Sequence, residues 1–344
     1  MKPNALGYGV EPGHYTAYRA TGPITPDGRA QSPAWARAPR TPRFVEMVSG
    51  APAPLNTEAA ILWDDTNLYI AFFAEEPYPV ATMTKRDDCL FFENDLEIFI
   101  DGGESYYEYQ VNALGVIYEV MYIWRSAFKK GGAWDRAPFD VYHPRTVTYN
   151  GDYRPDRHNF WHGAHPKGPR WAFLDYDLPG LKTYVHVDGR VNDPTTPSRG
   201  WTAEIVIPWA GLADLATGRA LPPRPGDVWG ILLARFQQLQ GRNPGQSVSA
   251  GWSAHPMGVA DTHTPETFTQ VRFSEKAGPC EGRPPGPDQG SGWVPWLQPS
   301  SFSALALEKN ARLPLRSALT GTCGKNCLIS SSVGSEAVVS GATM

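Results

Sequence analysis

Two consecutive stretches, "DLEIFID" (95–101) and "YYEYQVNALG" (106–115), alternate apolar and polar residues with a period of two, and a mostly apolar run, "VIYEVMYIW" (116–124), follows them. Strand side chains point alternately to opposite faces, so this period belongs to β-strands with one packed face and one polar face. Glycine-containing turns separate the three, which favours antiparallel neighbours. The same grammar recurs along the chain. "TEAAILWDDTNLYIAFFAEE" places two apolar runs around a turn of Asp and Asn, and "LKTYVHVDG" with "GWTAEIVIPW" reads as a second hairpin. "DVWGILLARFQQ" and "TFTQVRF" close the patterned region. The best helix signal, "WAGLADLATG", is short and bounded by Pro208 and Gly218. Many short strands separated by turn residues predict an all-β fold, an antiparallel two-sheet β-sandwich.

Composition narrows the function. The 344 residues carry a formal charge of −4 with no dominant Lys/Arg cluster, so no basic stripe marks a nucleic-acid groove. No apolar run is long enough for a transmembrane helix, so no membrane partner is expected. The opening "MKPNALGYGVEPGHYTAY" has no apolar stretch resembling a signal peptide, which leaves the compartment open. A lone cysteine, Cys89, in the first 275 residues argues against a disulfide framework there. The expected organisation is an N-terminal lead (1–19), the sandwich (20–275) and a low-complexity, mostly disordered C-terminal tail (276–344). Residues 125–180 interrupt the strand grammar with polar, Pro/Gly-punctuated sequence rich in large aromatics. They read as a long loop insertion over one rim.

Glu97 stands in the middle of its strand, where carboxylates are uncommon. If the first two stretches pair as an antiparallel hairpin, Glu97 shares a face with Glu108, Gln110 and Asn112. Leu96, Ile98, Ile100, Tyr107, Tyr109 and Val111 then fill the other. A carboxylate with two amides can accept from and donate to vicinal hydroxyls. A solvated face, or an ion pair of Glu97 with Arg125 or Arg235, fits the same pattern.

The order of these blocks, from "PITPDGRAQSPAW" through "ILWDDTNLYIAFFAEE", "DLEIFIDGGESYYEYQVNALG", "GWTAEIVIPWAGL" and "PRPGDVWGILLARF" to "GWSAHPMGVADTHTPETFTQVRF", resembles the family 9 carbohydrate-binding modules and their DOMON-related relatives. The resemblance covers about residues 20 to 275. It implies a β-sandwich that recognises a sugar in a slot between aromatic side chains, with calcium as a structural ion in some members. Transferred position by position, the family's strand glutamate falls on Glu97 and its polar pair on Gln110 and Asn112. One aromatic wall falls near Phe91. The second wall, a tryptophan in the family's best-known sugar binder, falls on Thr262 or His263, so the two-tryptophan clamp is not intact.

Sugar rings stack their C–H faces on aromatic planes, which makes Trp124, Trp134, Trp161, Trp171 and Trp252 candidate platforms. Trp124 and Trp161 are the preferred pair. Trp35, Trp63, Trp201, Trp209 and Trp229 sit inside strand or packing blocks and read as core. Asp64, Asp65 and Asp101, at strand ends and turns, are the candidate calcium ligands, although turn aspartates also bond their own backbone. His158, His162 and His165 lie in a Gly/Pro-broken stretch and read as loop histidines. The predicted function is non-catalytic binding of a poly- or oligosaccharide by Glu97, Gln110, Asn112, Phe91, Trp124, Trp161 and His263. The alternative is a carbohydrate-active enzyme, hydrolysing a glycan with insert carboxylates among Asp135, Asp140, Asp175 and Asp177.

Overall fold

The structure, a computed structural model, describes residues 10–149, 165–240 and 247–279. Fourteen strands lie among them: β1 His14–Arg19, β2 Val45–Glu46, β3 Thr57–Trp63, β4 Asn67–Glu75, β5 Asp95–Asp101, β6 Ser105–Val111 and β7 Ile117–Trp124. They continue with β8 Thr146–Tyr149, β9 Arg170–Phe173, β10 Lys182–Asp188, β11 Gly200–Pro208, β12 Val228–Gln240, β13 Ser247–Ser253 and β14 Thr269–Ser274.

The hairpins form where turn chemistry closes them. Asp64 Oδ1 accepts the Thr66 and Asn67 amides at 2.7 and 2.8 Å, which folds β3 back into β4. Asn112 Oδ1 accepts the Leu114 and Val116 amides, both at 3.0 Å, between β6 and β7. The strand order is β10-β11-β4-β3-β1-β14-β12-β5-β6-β7-β9-β8, with β13 paired to β12 and to β2. Pairing is antiparallel except at β1, which runs parallel to both β3 and β14 and so joins the two layers of the sandwich. Ile61, Ile70, Phe72 and Ile205 from one layer pack in a single buried cluster with Leu96, Ile98, Tyr107, Met121 and Ile231 from the other. That cluster is the core, and its alternation is the one legible in the sequence.

Between the layers, at one end, lies a fully buried polar plug. Glu76 accepts from Trp201 Nε1 (2.7 Å), Asn94 Nδ2 (2.8 Å), Gln237 Nε2 (3.0 Å) and Arg235 Nη2 (3.2 Å). Arg235 also donates to Thr57 Oγ1 and the Glu75 carbonyl. The outer face of the β11-β4-β3 layer is capped by the stretch leading to Trp35. Glu204 Oε2 accepts the Asp27 and Gly28 amides, and Oε1 accepts the Trp35 indole, all at 2.9 Å.

Several expectations need correction. β1 lies within the supposed N-terminal lead and is integral to the sheet, so the sandwich begins before residue 20. "WAGLADLATG" forms only a 3-10 turn, Trp209–Leu212, followed by turns. The insertion is not only loop, because β8 and β9 extend the sheet beyond β7. The tail, from residue 280 onward, lies outside the described residues.

Candidate functional site

Register fixes which side chains meet on the outer face of the β12-β5-β6-β7 layer. Ala234, Glu97, Gln110 and Tyr118 form one cross-strand row. Leu232, Phe99, Glu108 and Val120 form the next, and Tyr106, Tyr122 and Ala172 the one after. Adjacent strands lie about 4.8 Å apart, so side chains in one row touch. The hairpin pairing therefore brings Glu97, Glu108 and Gln110 together as expected.

Their geometry is tight. Gln110 Nε2 donates to Glu108 Oε1 at 2.7 Å and to Glu97 Oε1 at 3.0 Å, so one amide bridges two carboxylates. Tyr122 donates its hydroxyl to Glu108 Oε2 at 2.7 Å. Asp95 lies beside Phe236 on the same face, and neither of its oxygens accepts from a side chain among the described residues. Burial raises the Glu108 carboxyl from its ordinary 4.5 to about 7, against the lowering effect of its Tyr122 and Gln110 hydrogen bonds. Asp95 is pushed well above its ordinary range, chiefly by burial and further by the charges of Glu108 and Glu93.

This acid–amide floor is not open to solvent. Glu97 is 2%, Glu108 4% and Gln110 1% exposed. An apolar cover of Met47, Leu90, Met257 and Phe268, flanked by Met83 and Val259, packs on that face. The cover is tied down by the Met257 and Gly258 amides, which donate to the Met47 carbonyl at 2.6 and 2.9 Å.

Two aromatic groups rim the floor. On one side Phe91, half-buried, packs against Phe92 (ring centroids 4.6 Å apart) and edge-on to Tyr118 (5.6 Å). Phe92 is 49% exposed. On the other side the half-buried His263 lies among Tyr149 (4.5 Å), Tyr122 (5.1 Å), Phe99 (5.3 Å) and Tyr106 (5.8 Å). Tyr118 and Tyr122 are four residues apart on one strand, which separates the two groups by about 13 Å. Behind the second group the buried Arg170 guanidinium packs over Trp124, Tyr149 and Tyr106.

Other sequence-predicted residues go elsewhere. Asn112 shares the face but is employed in holding a loop, donating to Glu93 Oε1 at 2.7 Å and to the Met83 carbonyl at 3.0 Å. Trp124, Trp134 and Trp252 are buried, so none is an open stacking platform. Trp161 lies outside the described residues, as do His158 and His162. Arg235, offered as an ion-pair partner of Glu97, points into the core and pairs with Glu76, while Arg125 lies over Trp171. Asp64, Asp65 and Asp101 are not gathered. Asp64 serves its turn and Tyr69, Asp65 pairs with Arg19, and Asp101 accepts the Gly103 amide. Among the described residues no group of three or more His, Cys, Asp or Glu could hold a metal ion. His165 is buried and contacts Glu266 through Nε2 at 2.6 Å.

The insert carboxylates do not face Glu97 either. Asp135 and Asp140 accept turn amides, and Asp175 pairs with Arg145. Asp177 pairs with Arg86, which also binds Glu119. Glu119 stands opposite Tyr109 and bonds Tyr107, on the face turned toward the core. Residues the sequence reading missed are Phe99, Tyr106, Tyr118, Tyr122, Tyr149 and Arg170. Extending the hairpin register by one more strand would have found Tyr118 and Tyr122. Nothing in the sequence marks Arg170.

These features define a β-sandwich with an acid–amide floor on one outer face, aromatics on two sides of it and a methionine-rich cover. No protein-family model matches the sequence, and no curated protein matches it. Among solved structures it is similar to a candidate carbohydrate-binding protein from Bacteroides uniformis, with 13% identity, 76% of this chain and 99% of that one covered, and a TM-score of 0.46. It is also similar to a carbohydrate-binding module of family 9 from Caldicellulosiruptor kristjanssonii, solved with cellotriose (13% identity, 76% and 95% covered, TM-score 0.41) and with glucose (12%, 76% and 97%, TM-score 0.38). Likeness at this level assigns no ligand to this chain.

Proposed function

We propose that the protein is a non-catalytic carbohydrate-binding module whose ligand enters between Phe91 and His263 and reaches the floor of Glu97, Glu108 and Gln110. The observation that carries the reading is the single Gln110 amide shared by two buried carboxylates, with aromatic rings on two sides. Carboxylates accept from sugar hydroxyls, the amide supplies both a donor and an acceptor, and the rings offer faces to the C–H side of a sugar. Gln110 Oε1 has no partner among the described residues and stands ready to accept one more hydroxyl. A ligand reaching the floor displaces the cover, and flexible methionines are suited to moving aside and repacking.

Glycan-array screening followed by calorimetry, with cellotriose among the probes, tests the reading. Glu97→Ala should reduce affinity at least tenfold, and Glu97→Gln, which keeps shape and one acceptor, should reduce it less. Absence of any bound glycan, or equal binding by Glu97→Ala, refutes it. A second reading, glycan hydrolysis, draws on the raised Glu108 beside Glu97, since a hydrolase needs one carboxyl that holds its proton near neutrality. Release of reducing ends from a bound glycan, abolished by Glu108→Gln, would favour it over binding alone.

A further inference from the structure

The loop ahead of β14 anchors His263 through its backbone. Asp261 Oδ1 accepts the His263 amide at 2.8 Å, and Arg170 Nη2 donates to the His263 carbonyl at 2.8 Å. The imidazole then sits among four aromatic rings, with Nδ1 3.1 Å from the Tyr106 hydroxyl. The Tyr106 oxygen is also hydrogen-bonded to the Arg170 side chain. A guanidinium has donors and no acceptor, so the Tyr106 oxygen accepts from Arg170, and the fully buried Tyr106 hydroxyl donates its own hydrogen to the acceptor within reach, Nδ1. A ring nitrogen that accepts does not carry the ring proton, which leaves the proton on Nε2.

We infer that Arg170, acting through Tyr106, fixes His263 as the neutral Nε2–H tautomer, so that the rim presents one dedicated hydrogen-bond donor to an uncharged acceptor oxygen of the ligand. Arg170 and Tyr106 are thus positioning residues, and His263 is the residue that reads. The inference rests on the carbohydrate reading for the nature of the ligand but not for the tautomer. Among the described residues the charged and titratable groups around the ring are Arg170, Asp261, Tyr106, Tyr122, Tyr149 and, through Tyr122, Glu108. Burial and the Arg170 charge hold the imidazole well below its ordinary range, in keeping with a neutral ring. Among the described residues Nε2 has no partner, and the half-buried ring leaves room for one.

Long-range nitrogen–proton NMR of the histidine side chains in the full chain tests the relay directly. His263 is expected to show the Nε2–H pattern unchanged from pH 5 to 8 in the wild type and a mixture of tautomers in Tyr106→Phe. An Nδ1–H tautomer, or protonation within that range, overturns it. Calorimetry with cellotriose supplies the second arm. Tyr106→Phe removes only a hydroxyl and, with its fold verified by melting, is expected to bind more weakly by the factor to which the Nε2–H population falls, about twofold for an even mixture. Equal binding by wild type and variant overturns the reading role of His263. A fixed Nε2–H tautomer in a protein that binds no glycan would instead leave the relay standing and remove the carbohydrate reading.

Discussion

Replacing Glu76 by alanine tests whether the buried polar plug holds the two layers together. The carboxylate is 2% exposed and satisfies four donors, from Asn94, Trp201, Arg235 and Gln237. Arg235, 1% exposed, keeps Thr57 Oγ1, the Glu75 carbonyl and Gln237 Oε1 as acceptors but loses its ion-pair partner. Breaking a buried pair by removing one member costs roughly 3–5 kcal/mol, because the remaining charge stays desolvated. For a domain of this size that corresponds to a fall in melting temperature on the order of 10 °C. Urea unfolding supplies the free energy and a thermal melt the second measure. The double variant Glu76→Ala/Arg235→Met should recover most of the loss, since a buried pair replaced by apolar side chains is often near neutral. A single-variant loss under about 1 kcal/mol, or a double variant no better than the single, would refute the reasoning.

Glu108 makes a pH-dependent counterpart. Its folded-state pKa of about 7 lies above its ordinary 4.5, so the folded protein holds this proton where the unfolded chain has lost it. Its contribution is fully present below pH 4.5 and is lost as the pH rises through 7. The stability of wild type relative to Glu108→Gln should therefore fall by on the order of 3 kcal/mol between pH 4.5 and 8. A difference constant across urea melts at pH 5, 6, 7 and 8 would show that the carboxyl is not elevated. Gly28→Ala should destabilise by more than about 1 kcal/mol in a thermal melt, because the residue has a φ of +82° and a Cβ there would lie 2.7 Å from the Val185 carbonyl carbon. Glu204→Ala should cost about 2–4 kcal/mol by removing the acceptor of two backbone amides and the Trp35 indole. A melt unchanged from wild type would mean that this cap is not anchored through Glu204.

β5, β6 and β11 were legible because burial of one apolar face writes a period of two into the sequence, and β3, β4 and β7 because each is an apolar run bounded by turn residues. β13 was not legible, because "SVSAGWS" is small and polar and its Gly251 makes room for Met47 and Phe236, whose atoms lie 2.7 and 2.8 Å from where a Cβ would stand. β1 was missed because its pairing is parallel and long-range, with β14 at the far end of the patterned region. The shared face of Glu97, Glu108 and Gln110 followed from register alone. Its burial did not, since the cover comes from loops near residues 47, 83–91 and 257 whose path no periodicity records. The same blindness misplaced Trp124, which His165 and Arg170 of the insertion cover, and Trp134 and Trp252, which join the core.

Buried carboxylates on this chain fall into two kinds, and the difference bears on function. Glu76 and Glu204 each collect a full set of donors from segments that must be tied together, so their desolvation is offset by the structure they hold. On the outer face of β5 and β6, Glu97 and Glu108 share the Gln110 amide, Glu108 also accepts the Tyr122 hydroxyl, and Asp95 receives nothing from any described side chain. Burial raises both Glu108 and Asp95. At positions 95 and 108, where burial raises the carboxyl, an apolar residue would suit the methionine cover better. A fold departs from such local consistency chiefly where a site requires it. Glu108→Leu should accordingly leave stability equal or higher while removing ligand binding, whereas Glu76→Leu should destabilise. If both variants lost stability alike, the floor would be a structural device of the same kind as the plug, and the carboxylates beneath the rim would have no ligand to explain them.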